Sequence, residues 1–128
     1  MSEPAWITVE ETLAFHSVLI ANFGGSDEIR DEGKLLAALN RPKQQFFHEK
    51  RSLIELATTY ASGVVKSHPC IDGNKRTGLL LCQLFLETNG YKFEASEEEA
   101  ALQILALADD QLSDEELTGW LLLNCSKV

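Results

Sequence analysis

Hydrophobic residues recur along most of the chain with the period of an α-helix rather than that of a strand. The predicted helices span residues 8–22, 32–39, 52–67, 74–89, 97–109 and 114–124. On the first of them, much of the apolar stripe that we expect to be buried consists of Leu13, Val18, Leu19 and Phe23. Residues 43–51 are predicted to be a loop, and the alternating segment 91–95 a short extended piece.

Start and stop signals agree with this layout. Capping boxes, in which a hydroxyl and a glutamate satisfy the first backbone N–H groups of a helix, are predicted at Thr8–Glu11, Ser52–Glu55, Ser96–Glu99 and Ser113–Glu116. Glycines at 24–25 and at Gly90 follow predicted helix ends, and Pro42 is expected to end the second helix. Four such boxes at plausible spacings favour a mostly helical protein.

The helix at 74–89 is the most hydrophobic of the six. Its apolar residues surround the helix axis on nearly every side: Leu79, Leu80, Leu81, Leu84, Phe85 and Leu86. A helix that is apolar all round is buried in a larger protein core. We therefore predict one all-α domain over residues 1–128, a helical bundle around this central helix.

Composition narrows the class of protein. A 45% hydrophobic and 24% charged chain is ordinary for a soluble globular protein. The net charge of −9 and the lack of a basic stretch argue against direct nucleic-acid binding. The three cysteines form no C-x-x-C pair, which favours reduced thiols in the cytoplasm. We see no secretion signal and no apolar run long enough for a membrane span.

One stretch, "SHPCIDGNKRTG" at 67–78, carries the candidate chemistry. It places Gly73-Asn74-Lys75-Arg76 at the start of the buried helix, where free N–H groups and two cations would attract phosphate oxygens. Asp72 could bind Mg²⁺ beside those phosphates, and His68 could accept a proton from an attacking hydroxyl. A base, a metal ligand and an anion site together predict phosphoryl or nucleotidyl transfer.

Each of these residues also has a purely structural interpretation. His68 could cap the preceding helix by donating to its carbonyl groups, and Asp72 could cap the following one. Lys75 and Arg76 could be solvated surface charges, and Asn74 a turn residue. None of these alternatives predicts the others, so their clustering in one loop favours a functional site.

Other candidate groups carry less weight. A zinc site at His68, Cys70 and Asp72 is discounted, because alternate residues of a short loop rarely converge on one ion. His16 is expected to be a buried, hydrogen-bonded histidine rather than a participant in chemistry. Phe46, Phe47 and His48 could form a flap over a cleft, but packing within a loop is the favoured interpretation.

The motif "HPCIDGNKR" at 68–76 resembles the signature loop of the Fic/Doc (Fido) superfamily, in particular its death-on-curing (Doc) branch. The likeness extends to "AFHSVLIANFGG" at 14–25, "RDEGKLLAALNRP" at 30–42 and "TGLLLCQLFLETNG" at 77–90. It covers about three quarters of the chain and implies an all-α fold. In the Doc branch it further implies a toxin with protein kinase activity, which uses ATP and Mg²⁺. The implied substrate is a translation factor of the elongation factor Tu class, and the implied partner is an antitoxin that inserts a helix along the active-site groove.

The resemblance also implies roles for individual residues. His68 would be the general base, and Asp72 would orient Mg²⁺ or the target hydroxyl. The implied nucleotide and phosphate site consists of Gly73, Asn74, Lys75 and Arg76, the last two holding β- and γ-phosphate charge. Most Fic members instead transfer AMP; they carry Gly where this chain has Lys75 and a second Arg where it has Leu79. AMP transfer is therefore the alternative reaction.

Two features depart from the family pattern or are missing from it. Cys70 replaces the motif Phe, and loss of a buried Phe side chain costs about 3–5 kcal/mol if nothing fills the space. Ile71 or Phe46 could fill it; otherwise the domain would be a catalytically impaired module that binds a nucleotide or a partner. The inhibitory helix motif of some Fic chains is absent, so inhibition is expected from another chain.

Overall fold

The computed structural model describes residues 2–128, which form helices and one pair of short strands. The α-helices are α1 (Val9–Phe23), α2 (Glu32–Gln44), α3 (Leu53–Ser67), α4 (Asn74–Thr88), α5 (Glu97–Ala108) and α6 (Asp114–Asn124). A π-helical turn follows α2 at Gln45–Glu49. Strands β1 (Tyr91–Phe93) and β2 (Cys125–Lys127) pair antiparallel, with Lys92 opposite Ser126.

Helices α3 and α4 lie side by side at the centre of the fold and share its most extensive contact. Gly78 permits this approach, because a Cβ there would lie 2.6 Å from Val65 Cγ2. Nine of the fifteen residues of α3 are buried, compared with seven of the fifteen residues of α4, and α3 also contacts α2, α5 and α6. The all-α bundle is thus confirmed, but the most enclosed helix is α3, not the predicted 74–89 helix.

Local capping explains most helix starts. Both halves of the capping box are present at Thr8, Ser52 and Ser113. At Ser96 the hydroxyl accepts the N–H of Glu99 but donates to its carboxylate, so the reciprocal backbone bond is missing. Predicted and observed starts agree within one residue because caps depend only on neighbouring residues.

Two predictions about the first half of the chain are wrong. Helix α2 continues through Pro42 and passes into the π-helical turn, so residues 43–51 are mostly helical. Pro42 is buried, and the chain leaves the turn only at Lys50, which has a left-handed φ of 53°.

The predicted buried stripe of α1 is also wrong for three of its four residues, since only Leu19 is half-buried. Leu13, Val18 and Phe23 are exposed, whereas the buried residues of α1 are Thr12 and His16. Thr12 donates its hydroxyl to the Thr8 carbonyl, so a polar group is buried there without an unmet hydrogen bond. No helix within residues 2–128 combines the length and apolar character that a membrane crossing requires.

Candidate active site

The loop at 68–73 connects the C-terminus of α3 to the N-terminus of α4. His68 ends α3 in the left-handed conformation (φ 51°, ψ 57°), with its N–H 3.2 Å from the Val64 carbonyl oxygen. It is therefore the backbone C-cap, but its ring does not donate to the helix carbonyls as the structural interpretation supposed. The ring is exposed and has no hydrogen-bond partner in residues 2–128, so both nitrogens can meet a ligand.

The segment before α2 holds this loop in place. The N–H groups of Arg30 and Asp31 donate to the Pro69 carbonyl at 2.8 and 3.0 Å. The guanidinium of Arg30 donates to the His68 carbonyl through Nη2 at 2.6 Å and Nε at 3.0 Å. Since two N–H groups of one planar cation bind the same oxygen, the backbone that carries the His68 ring is fixed.

Asn74 closes the loop from the other side. Its Oδ1 accepts the Cys70 N–H at 3.0 Å, and its Nδ2 donates to the Cys70 carbonyl at 2.9 Å. Both polar atoms of this buried side chain are therefore used within the loop, so only the Asn74 backbone N–H, which has no acceptor in residues 2–128, is available to an anion. Cys70 is 2% exposed, and burial raises the pKa of its thiol, so it is not an activated nucleophile.

The space of the family's motif Phe is not filled by either side chain suggested from the sequence. Ile71 is 50% exposed, and Phe46 packs on Trp6 with ring centroids 5.7 Å apart. The ring centroid of Phe47 lies 6.4 Å from that of Trp6, so both phenylalanines pack on Trp6, while Phe47 remains 56% exposed. The loop is held instead by backbone hydrogen bonds, including Ile71 N–H to the Glu28 carbonyl at 3.2 Å.

Asp72 reaches toward the turn after α1. Its Oδ2 accepts the Ser26 N–H at 2.8 Å, and its carbonyl lies 2.7 Å from His16 Nε2. The structural interpretation of Asp72 as the N-cap of α4 is wrong, because Gly73 occupies that position and no side chain caps the helix. The carboxylate is exposed, and Oδ1 makes no hydrogen bond within residues 2–128.

The N-terminus of α4 differs from the other helix starts. Within residues 2–128 the N–H groups of residues 74–76 have no acceptor, and the first helical bond runs from Thr77 N–H to the Gly73 carbonyl at 2.9 Å. Its first turn contains no acidic residue and carries Lys75 and Arg76, both exposed. Free N–H groups, the positive end of the helix dipole and two cations together form a potential anion site.

A groove of about 320 Å³ adjoins this helix start. Its lining residues are Lys75, Arg76 and Leu79 of α4 with Ala101, Ile104 and Leu105 of α5. The Arg76 guanidinium also lies over the exposed Phe23 ring of α1, 4.1 Å from its centroid. The Phe23 ring limits where the Arg76 charge can point.

The metal chemistry of the loop is restricted. Among residues 2–128, no group of three His, Cys, Asp or Glu side chains is arranged to hold an ion. A single carboxylate at Asp72, with Oδ1 unbound, fits Mg²⁺, which commonly takes one or two protein ligands and completes its shell with water and substrate phosphates.

The structure thus brings the predicted site residues into one loop and one helix turn. The chain matches the sequence model of the Fic/DOC family over residues 6–86. It belongs to the Fic/DOC family. Over 99 residues it is 33% identical to "Protein kinase doc" of Escherichia phage P1, a match that covers 77% of this chain and 79% of that protein. Over 75 residues it is 33% identical to "Toxin Doc" of Mycolicibacterium smegmatis, covering 57% of this chain and 58% of that protein.

Three supporting residues of this Fic/DOC site were not identified from the sequence. Arg30 and Ser26 bind the loop across 38 and 46 residues of chain, and His16 binds it across 56. For Arg30 the sequence offered one signal, its place in a segment that resembles the family. Its bond to the His68 carbonyl could be recognised only once the fold was known.

Proposed function

We propose that this protein is a Doc-type toxin of a toxin–antitoxin pair that transfers the γ-phosphate of ATP to a hydroxyl of a protein substrate. The observation that carries the proposal is the uncapped, cationic N-terminus of α4 next to the exposed His68 ring and the Asp72 carboxylate. The names of the two relatives support a toxin and a kinase. A translation factor of the elongation factor Tu class, in the cytoplasm, is the proposed target.

The proposed phosphate site combines backbone and side-chain donors. The N–H groups of residues 73–76 would bind the oxygens of the transferred phosphoryl group and its neighbour, because they lack protein acceptors. Lys75 and Arg76 would neutralise charge that spreads over those oxygens during transfer. Catalysis would then rest on positioning and electrostatics rather than on a covalent intermediate.

His68 is the proposed general base. Its ring would take the proton of the substrate hydroxyl as that oxygen forms a bond to the γ-phosphorus. The bond between the γ-phosphorus and the oxygen bridging to the β-phosphate breaks, and ADP leaves. The Arg30 bonds to the His68 carbonyl support this role, since they hold the backbone while the ring stays free.

Asp72 is the proposed metal ligand. Its Oδ2 is held by Ser26, and its Oδ1 is available to Mg²⁺ or to the substrate hydroxyl. When bound, Mg²⁺ would neutralise charge on the nucleotide phosphates.

The α4–α5 groove is the proposed seat of the antitoxin helix. Its lining is mostly apolar, and Leu105 of α5 is 46% exposed beside it. Lys75 and Arg76 border the same groove, so a helix placed there would lie against the phosphate site and block it. An amphipathic helix with apolar residues on one face suits such a groove.

AMP transfer is the alternative reaction. Lys75 argues against it, because a long side chain there fills space near the phosphates that Gly leaves open in the AMP-transferring members. The other alternative is an impaired binding module caused by Cys70. If Cys70→Phe raises activity from nothing, the natural loop is impaired; little change would show that the hydrogen bonds between the Asn74 side chain and the Cys70 backbone already hold the loop in its active form.

The proposal is tested by adding γ-labelled ATP to a bacterial lysate with wild-type protein or His68→Ala. We expect label on one protein band that is absent with the variant. A parallel reaction with α-labelled ATP separates the two chemistries: label from the α-phosphate alone would replace the kinase proposal by AMP transfer. If neither γ-labelled nor α-labelled ATP gave a labelled protein, the catalytically impaired binding module would be the remaining alternative.

A further inference from the structure

His16 is a buried titratable side chain with a defined place beside the proposed site. It is 1% exposed on the inner face of α1, and its Nε2 lies 2.7 Å from the Asp72 carbonyl oxygen. A carbonyl oxygen only accepts, so Nε2 must carry the hydrogen and donate it. Helix α1 therefore binds the backbone of the motif loop through its buried His16 side chain.

This hydrogen bond fixes the orientation of one peptide unit. No peptide bond in residues 2–128 is cis, and in a trans unit the carbonyl and N–H point in opposite directions. With the Asp72 carbonyl directed at His16, the N–H of Gly73 points away from α1. That N–H precedes the free N–H groups of residues 74–76 and has no acceptor in the described chain.

Without such a bond the unit would be free to turn over. Gly73 has a φ of +82°, and glycine tolerates conformations on either side of a peptide flip. A flipped unit would present the Asp72 carbonyl oxygen, rather than an N–H, to bound phosphate. One hydrogen bond from the core thus selects the orientation that attracts an anion.

Close packing supports the same assignment. A Cβ on Gly73 would lie 3.4 Å from His16 Nε2 and 3.3 Å from Ile20 Cδ1, so α1 lies directly against the start of α4. A Cβ on Gly25 would lie 2.8 Å from Asp72 Cβ. Helix α1 and the turn after it therefore hold the Asp72–Gly73 unit at both its carbonyl and its side chain.

We infer that His16 is a positioning residue that locks the Asp72–Gly73 peptide so that the Gly73 N–H faces the phosphate. This inference rests on the proposed function, because it assumes an anion at the N-terminus of α4. His16 would act through the loop backbone and would not touch the substrate.

The test is a pyrophosphate titration followed by the Gly73 amide signal in nuclear magnetic resonance spectra of the whole protein. The variants are His16→Gln, whose Nε2 can replace the imidazole donor, and His16→Leu, which fills space without donating. We expect His16→Gln to bind within about threefold of wild type and His16→Leu about tenfold more weakly, the loss of one hydrogen bond. In the wild type the His16 ring should carry its hydrogen on Nε2.

Thr12→Val is the matched control, since Thr12 is equally buried on the same face of α1 but bonds only the Thr8 carbonyl. It should bind pyrophosphate like wild type. Equal affinity of His16→Leu and wild type, a folded His16→Gln as weak as His16→Leu, or an Nε2 without hydrogen would each overturn the inference. The inference would also be overturned if Thr12→Val bound pyrophosphate as weakly as His16→Leu, or if the Gly73 amide signal of the wild type did not shift on addition of pyrophosphate.

If His16→Leu does not fold, the inference is still tested by the His16 ring tautomer of the wild type and by the pyrophosphate titration of His16→Gln. A Gly73 response that depends on His16, together with no γ-phosphate transfer by wild type, would count against the proposed function alone.

Discussion

The N-termini of α3 and α4 belong to neighbouring central helices of fifteen residues each, yet they are built in opposite ways. At α3, Ser52 and Glu55 satisfy the first N–H groups through a complete capping box. At α4, Gly73 leaves them free, and Lys75 and Arg76 replace the acidic residue. A helix end satisfied by its own side chains serves folding, whereas an end left unsatisfied beside two cations suits an external anion.

The largest effect should come from the proton acceptor next to the α4 end. We expect His68→Ala to lower phosphate transfer by about a hundredfold or more, because general base catalysis contributes at least that much. Growth arrest on expression should disappear while helix content by circular dichroism stays unchanged. His48→Ala, at another exposed histidine, is the control. Growth arrest retained by His68→Ala would contradict its catalytic role.

Removing charge from the α4 end should have the next largest effect. Lys75→Ala is expected to reduce kcat/KM for transfer by about tenfold to a hundredfold, as for a lost hydrogen bond to a charged group. Because Lys75 is exposed and makes no ion pair in residues 2–128, the free energy of unfolding should change little. Lys92→Ala on β1 controls for net charge; equal losses in both variants would refute a local role for Lys75.

The two ends of α4 allow a test of close approach. Gly73 and Gly90 both have positive φ, so an Ala at either should cost about 1–2 kcal/mol of stability. A Cβ at Gly90 meets nothing within 4 Å, whereas one at Gly73 meets His16 and Ile20. Only Gly73→Ala should therefore also reduce transfer, as measured by initial rates beside denaturant unfolding. Similar rates for both variants would mean that Gly73 has no role beyond its conformation.

The α3 end should respond in the opposite sense. Ser52→Ala is expected to lower the free energy of unfolding by about 1 kcal/mol, the usual loss of an N-cap. Transfer activity of the folded variant should equal that of wild type, because Ser52 lies at the other end of α3 from the motif loop. A loss of activity without a loss of stability would reverse the comparison between the two helix ends.

The smallest effect is expected from Glu55, the glutamate of the capping box at the start of α3. The Ser52 N–H and the Arg51 guanidinium lower the pKa of Glu55 below its ordinary 4.5. When a carboxylate has a lower pKa in the folded state than in the unfolded state, it stabilises the fold. This stabilisation is complete above the pKa of the unfolded state and is lost as the pH falls through the pKa of the folded state. Wild type should therefore exceed Glu55→Gln in stability at neutral pH, with the difference vanishing in acid. Partial exposure keeps it small, and a difference that persists in acid would contradict this cause.

The same contrast explains what could be predicted from sequence. Caps such as Ser52–Glu55 are formed by neighbours three residues apart, so the starts of α1, α3, α5 and α6 were predictable. The buried face of α1 was predicted only in part: the expected burial of His16 as a hydrogen-bonded histidine is confirmed, but the burial of Thr12 and the partner of His16, 56 positions away, were not predicted. A hydrophobic pattern contains no information about such polar partners.

For the site too, features set by neighbouring residues were predictable and features set by distant segments were not. The cluster from His68 to Arg76 lies in nine consecutive residues and could be recognised as one loop before α4. The bonds from the Asn74 side chain to Cys70 could not be recognised from the sequence, nor could the binding of the Asp72 carboxylate to Ser26 rather than to the start of α4. These assignments depend on φ and ψ at Gly73 and on distant segments, which neither spacing nor composition determines.

The most direct measurement is a titration of the whole protein with ATP and Mg²⁺, followed by all backbone amide signals. If the α4 end is the phosphate site, the largest shifts should occur at residues 73–76, with those of residues 53–55 at the start of α3 unchanged. Shifts concentrated elsewhere, or absent at residues 73–76, would contradict the central claim that the uncapped end of α4 binds the transferred phosphate.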